Sequence, residues 1–257
     1  MKEKLIFFDI DGTIIDHFKK EIPQSTITAL KLLQANNHQI AVASGKDPIF
    51  IENLFSDIKL ATYVALNGNY VVLNNKIIYK NYLTGATVKK FVQYCLKNQL
   101  AFVVIDEQGI KTLYHNDERI KKYYQDFTLG YPKIIDNIDD YDKYLQMTIM
   151  IKEDEEKIIA DFPELTFVRM SDYGMNVIPN GGMKEKGIKK ILAASNYTSD
   201  DLVVFGDGLN DISMFKLAKT SVAMGNAYQQ LKDCATLVTD HISENGVYNA
   251  CKKLELF

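Results

Sequence analysis

Four short apolar runs constrain this chain most: "LIFF" (5–8), "IAVAS" (40–44), "LVVF" (202–205) and "SVAM" (221–224). They scarcely alternate polar with apolar residues, so they read as strands buried on both faces. Each also runs into a polar or glycine-containing turn. Parallel neighbours of this kind need crossovers of a dozen or more residues, usually helical. Amphipathic segments supply them. Residues 25–36 carry Ile27, Leu30 and Leu33 at helical spacing, with Ser25 as the expected N-cap, and residues 184–195 carry Ile188, Ile191 and Leu192. "YVAL" (63–66) and "TLVT" (236–239) are further candidates for the same sheet. Strand alternating with helix predicts an α/β fold with a doubly wound parallel sheet.

The middle of the chain has a different rhythm. A helix is expected over 87–98, with Val88, Phe91, Val92, Cys95 and Leu96 on one face. "AFVVI" (101–105), "QMTIMI" (146–151) and "TFVRM" (166–170) read as strands, and a polar helix follows near 153–161. The alternation in "QMTIMI" suggests a sheet open to water on one face. An α+β module over 83–181 is therefore expected inside a discontinuous core formed by 1–82 and 182–257. "PNGG" (179–182) marks the turn where the chain returns.

Bulk properties exclude several classes. A formal charge of −3 with no long basic block gives little support to a nucleic-acid partner. The N-terminal apolar run is interrupted by acids and too short for a secretory signal, and no run approaches a membrane span. Cys95, Cys234 and Cys251 are far apart and lack metal-ligand spacing, which fits reduced thiols in a cytoplasmic protein.

In open α/β sheets, ligands bind beyond the carboxyl ends of the strands. Here those ends read Asp9-Ile10-Asp11-Gly12-Thr13, then Ser44-Gly45-Lys46, then Gly206-Asp207-Gly208-Leu209-Asn210-Asp211. Four converging carboxylates repel one another unless a cation joins them. With only oxygen donors on offer, the cation would be hard, and Mg²⁺ is the first choice because it also takes phosphate oxygens. Asp9 could then attack phosphorus as a nucleophile, and Asp11 could serve as general acid and base. Gly12 would let the chain turn and bring backbone N–H groups to the anion.

"DIDGT", the serine of "ASGK", the lysines of "KEKG" and "GDGLND", in that order, resemble the four motifs of the haloacid dehalogenase superfamily of phosphatases. "LNGN" (66–69) and "AMGNA" (223–227) are similar to its Cof-type, sugar-phosphatase-like subgroup. The resemblance spans the whole chain. It implies a Rossmann-like core with a large α+β cap in the second cap position, here 83–181, moving about linkers near 82 and 180. It also implies that Asp9 is the nucleophile and Asp11 the acid/base, whose backbone carbonyl binds Mg²⁺. Ser44 would hold phosphoryl oxygens, Asp207 would ligate the metal directly, and Asn210 and Asp211 would support metal and phosphate. The metal set is thus Asp9, Asp11, Asp207 and Asp211, and the phosphate and substrate set is Gly12, Thr13, Ser44, Gly45, Lys46, Asn67 and Asn210. The family lysine falls on Lys186, with Lys184 kept as the alternative. Asn67 could equally be a turn residue. Lys46 stands where the subgroup often has arginine, and a lysine lacks the bidentate fork.

The interval between Thr13 and the second strand is mostly helix and leaves no room for a folded cap. Between Lys46 and Lys186 there is far more chain than one crossover needs. The expected activity is Mg²⁺-dependent hydrolysis of small phosphate esters, sugar phosphates or a phosphorylated cofactor, through an aspartyl phosphate, with no obligatory protein partner. Two alternatives use the same aspartyl phosphate: a phosphotransferase or sugar phosphomutase, and a regulatory phospho-acceptor without turnover.

Overall fold

A computed structural model describes residues 2–16, 19–55, 58, 60–126 and 130–257. The chain separates into two compact units. One comprises Met1–Ser44, Glu52–Tyr79 and Met183–Phe257, the other Gly45–Ile51 and Lys80–Gly182.

The chain begins with β1 (Leu5–Phe8), α1 (Gln24–Ala35), β2 (Gln39–Ala43), α2 (Pro48–Leu54), β3 (Tyr63–Ala65), β4 (Tyr70–Leu73) and β5 (Lys76–Lys80). There follow α3 (Gly85–Lys97), β6 (Ala101–Asp106), β7 (Gly109–Thr112), α4 (Glu118–Asp126), β8 (Lys133–Ile134), β9 (Gln146–Met150), α5 (Ile158–Asp161), β10 (Leu165–Ser171) and β11 (Gly174–Pro179). The last part contains α6 (Lys184–Ala193), β12 (Leu202–Gly206), α7 (Ile212–Leu217), β13 (Thr220–Ala223), α8 (Gln229–Lys232), β14 (Leu237–Val238) and α9 (Gly246–Lys253).

The first unit is α/β. Its sheet runs β14-β13-β12-β1-β2-β3-β4-β5, parallel from β14 to β3. The parallel pattern ends at β4, which pairs antiparallel with β3. Leu5 and Phe7 of β1 face α6, α7 and α8 in one core cluster with Ile188, Ile191, Met214, Phe215 and Leu231. Helices α1 and α9 pack together, and α1 also contacts β2. Every residue of β1 has 0% exposure, and burying each of its side chains contributes roughly 1.5–3 kcal/mol. Ser25 does not cap α1. The helix starts one residue earlier, Pro23 precedes it, and the Ser25 hydroxyl is buried without a partner.

The second unit holds a sheet ordered β10-β11-β9-β6-β7-β8. Phe102 and Val104 of β6, Met147 and Ile149 of β9, and Met175 and Val177 of β11 share one face. That face joins Val88, Phe91, Val92 and Cys95 of α3 in a common core. Leu96 is 49% exposed, because its position drifts off the stripe that those four residues define. The expectation of one wet sheet face is also corrected: all residues of β6 and β9 are buried. Helix α4 contacts both strands, and its Ile120, Tyr123 and Tyr124 are buried. The expected 153–161 helix is a 3₁₀ turn, Glu153–Glu155, followed by the short α5.

Candidate active site

Register brings the acids together. Phe8 pairs with Phe205 on one side and Val42 on the other, so Asp9, Ser44 and Asp207 all fall just beyond aligned strand ends. The Phe8 and Phe205 rings stack at 4.7 Å and make an apolar floor one residue below Asp9. The Asp9 N–H donates to the Phe205 carbonyl at 2.9 Å, which holds the start of this turn to its neighbour strand.

Carboxylate oxygens of Asp9, Asp207 and Asp211 lie within 4.8 Å of one another. The Asp11 side chain is outside that trio, although its charge is close enough to raise the Asp9 carboxyl. Lys184, 1% exposed, donates from Nζ to Asp9 Oδ1 at 2.7 Å and to Asp211 Oδ1 at 2.6 Å. The other Asp211 oxygen, Oδ2, accepts from the backbone N–H groups of Asp207 and Gly208, both at 3.0 Å. Thr13 Oγ1 donates to Asp207 Oδ1 at 2.8 Å.

Burial is the largest influence on Asp9, followed by the Asp211 charge, and together they push its carboxyl up to about 7 against the pull of Lys184. Asp207 is raised well above the usual carboxylate range by burial and by the Asp9 and Asp211 charges, with the Thr13 hydrogen bond opposing. For Lys184, burial favours the neutral amine, but the charges and hydrogen bonds of Asp211 and Asp9 outweigh it and raise its pKa. Three crowded, oxygen-only acids with strained ionisation form a donor set that fits a hard divalent cation.

Of the two lysines, the structure brings Lys184 to these acids, where Lys186 was expected. The buried face of α6 is Lys184, Gly187, Ile188 and Ile191, at i, i+3, i+4 and i+7. A Cβ on Gly187 would lie 2.4 Å from Val64 Cγ1, so the missing side chain lets α6 pack close against β3 and turns Lys184 inward one helical turn earlier. Lys186 is off that stripe and only partly buried. The stripe was legible in "KEKGIKKI" and would have singled out Lys184.

Other sites differ from expectation in detail. Gly12 has φ +79°, and a Cβ there would stand 2.1 Å from Asp207 Oδ2. Its N–H donates to the Ile15 carbonyl and that of Thr13 to the Ile10 carbonyl, so both donors are used inside the turn rather than offered to an anion. Asn67, at φ 53°, is a turn residue whose N–H donates to the Ser44 carbonyl at 3.0 Å. Ser44 and Asn67 are buried beside each other. The Asn210 side chain sits over Gly208, where an added Cβ would meet its Oδ1 at 2.4 Å. Gly45 and Lys46 belong to the second unit. There the Gly45 carbonyl accepts from Gln146 Nε2 at 3.4 Å, and Lys46 Nζ lies 5.1 Å from the Phe50 ring centroid. Asn226 stood in the sequence only within "AMGNA" and without an assigned role; its amide donates to the Gly12 carbonyl at 2.7 Å.

The model of the haloacid dehalogenase-like hydrolase family matches residues 6–251. A Bacillus subtilis (strain 168) protein, YkrA, named as a candidate phosphatase, is 34% identical over 256 residues, covering 100% of this chain and 99% of its own. Phosphoglycolate phosphatase 1 of Saccharolobus solfataricus is 26% identical, over 98% of this chain and 95% of that protein. Among solved structures, a hypothetical protein of Geobacillus kaustophilus HTA426 matches with TM-score 0.91 and 30% identity, over 99% of this chain and 100% of that one. A sugar phosphatase of haloacid dehalogenase subclass IIB matches with TM-score 0.88 and 30% identity, at the same coverage. No helix among the described residues is long and apolar enough to cross a membrane. With a family match along nearly its full length and the acids of that family's motifs gathered at the strand ends, this chain belongs to the haloacid dehalogenase-like hydrolases.

Proposed function

We propose that the protein is a Mg²⁺-dependent phosphomonoesterase acting on small phosphorylated metabolites, sugar phosphates or a phosphorylated cofactor. The observation that carries this reading is the trio of buried Asp9, half-buried Asp207 and buried Asp211, in which the Lys184 ammonium bridges Asp9 and Asp211. The names of the relatives, a sugar phosphatase and a phosphoglycolate phosphatase among them, support the substrate class.

In this reading Asp9 Oδ attacks the phosphorus of the ester and the bond to the leaving oxygen breaks. Asp11 gives that oxygen its proton, then takes one from the water that attacks the phosphoryl-Asp9, which returns the carboxylate and releases inorganic phosphate. Asp9, Asp207 and Asp211, with the Asp11 backbone carbonyl, would hold Mg²⁺, which when bound supplies charge neutralisation to the acids and the phosphoryl oxygens. Lys184 steers Asp9 by its hydrogen bond and favours its ionised form against the effect of burial. Two of the three ammonium donors are committed to Asp9 and Asp211, which leaves one for a phosphoryl oxygen. The Ser44 hydroxyl is assigned to a second phosphoryl oxygen. The module over 83–181 is assigned the selection of substrate.

The test is phosphate release from sugar phosphates, pyridoxal phosphate, nucleotides and p-nitrophenyl phosphate, each with Mg²⁺, with EDTA and with Asp9→Asn. Turnover that requires Mg²⁺ and disappears in Asp9→Asn is expected. A folded protein that binds Mg²⁺ and hydrolyses none of these esters would sink the reading.

A further inference from the structure

Asn226 lies in the turn after β13, and its side chain reaches the first loop of the unit. Nδ2 donates to the Gly12 carbonyl at 2.7 Å, while Oδ1 accepts from the Ile242 N–H at 3.1 Å. Both ends of the amide are therefore spent on backbone. Gly12 in turn lies directly against the Asp207 carboxylate, and the next residue, Thr13, donates to it at 2.8 Å. Two residues after Asn226, the Tyr228 N–H donates to the Asp207 carbonyl at 3.1 Å. Asp207 is thus gripped by its side chain and its backbone, from two segments that Asn226 ties together.

The turn that carries Asn226 is itself anchored. Met224 N–H donates to the Gly206 carbonyl and Gly225 N–H to the Asp240 carbonyl, both at 3.0 Å. Lys232 Nζ donates to the Gly225 carbonyl at 2.6 Å, and a Cβ on Gly225 would stand 2.4 Å from the His241 nitrogen. A fixed frame of this kind transmits position to a ligand without touching the ion.

We propose that Asn226 is a positioning residue for the carboxylate trio: by holding the Gly12–Thr13 loop against Asp207 it sets the affinity of the trio for a divalent cation, and it touches neither cation nor substrate. The inference rests on the Mg²⁺ reading above. A carboxamide is needed because the site asks for a donor on one side and an acceptor on the other. Asn226→Asp keeps the acceptor for Ile242 but sets a second oxygen against the Gly12 carbonyl, whereas Asn226→Ala removes both bonds.

The test is calorimetric titration of the full chain with Mg²⁺ alone, together with the Mg²⁺ dependence of p-nitrophenyl phosphate turnover. Both variants are expected to weaken Mg²⁺ binding by about 10-fold. The Mg²⁺ concentration for half-maximal turnover should rise by a similar factor, with KM for the ester at saturating Mg²⁺ within about 2-fold of the wild type. Asn249→Ala provides the structural control, because it removes bonds to Asp240 Oδ2 and the Glu244 carbonyl in the neighbouring turn. It should lower the melting temperature and leave Mg²⁺ binding unchanged. If Asn226→Asp does not fold, Asn226→Ser, which adds no charge and shortens the side chain, carries the same expectation. Adding Thr13→Val to Asn226→Ala should cost less than the two separate effects combined, since both act through Asp207. Unchanged Mg²⁺ affinity in the Asn226 variants, or an equal loss in Asn249→Ala, overturns the positioning role while the phosphatase reading stands. A wild type without Mg²⁺ affinity overturns both.

Discussion

Replacing Lys184 by methionine tests the centre of the site. The substitution preserves most of the side-chain volume and removes one charge that is 1% exposed and bonded to two acids. It leaves Asp9, 6% exposed, and Asp211, fully buried, facing each other without their cation. Breaking a buried pair in this way costs about 3–5 kcal/mol. At about 2–4 °C per kcal/mol for a domain of this size, the melting temperature should fall by roughly 6–20 °C. The measurement belongs in EDTA at pH 8, where no divalent ion replaces the ammonium. The gap should narrow at pH 5, because an acid already pushed up to about 7 can take a proton in place of the lost partner. Turnover with saturating Mg²⁺ should fall about 10²–10³-fold, the usual cost of losing a donor aimed at developing negative charge. Lys186→Met, on the partly exposed side of α6, should change stability by no more than about 0.5 kcal/mol and keep its turnover. The reasoning fails if Lys184→Met melts and turns over like the wild type while Lys186→Met is the inactive variant.

Gly12→Ala should combine about 1–2 kcal/mol of backbone strain at φ +79° with displacement of Asp207, and kinetics should record at least a 100-fold loss of turnover. His38 accepts from the Lys4 N–H at Nδ1 and donates from Nε2 to the Leu256 carbonyl, and burial holds its pKa below the usual value. The neutral ring therefore contributes stability that is complete above its ordinary pKa of about 6.5 and is lost as pH falls through the lower folded value. Denaturant titrations should find the advantage of wild type over His38→Asn shrinking between about pH 7.5 and pH 5. Cys234 is exposed, whereas Cys95 and Cys251 are buried with thiols pushed up by burial. A thiol reagent should therefore label one cysteine in the native chain and all three in denaturant.

Much of the architecture was legible because it depends on neighbours in sequence. "LIFF" and "LVVF" are unbroken apolar runs, and both became strands buried on two faces. The acids that follow them had to emerge together, since adjacent parallel strands in one sheet end on the same side. "YVAL" and "TLVT" also joined that sheet. Local patterning misled where a partner lay far away in the chain. The alternating "QMTIM" looked half wet, yet α4 covers its polar face. Ser25 looked like a cap, but the helix had already begun.

The sequence alone determined the α/β class and the presence of several carboxylates and a lysine at the strand ends, because strand burial and strand-end chemistry are written in runs of a few residues. The stripe in "KEKGIKKI" already favoured Lys184, but only the tertiary structure decided how close that lysine comes to the acids and which residues support them. Lys184 turns inward because Gly187 lets α6 approach Val64 closely. Asn226 reaches Gly12 across a separation of 214 residues. Such choices depend on which surfaces come within bonding distance after folding, and no spacing along the chain encodes that distance.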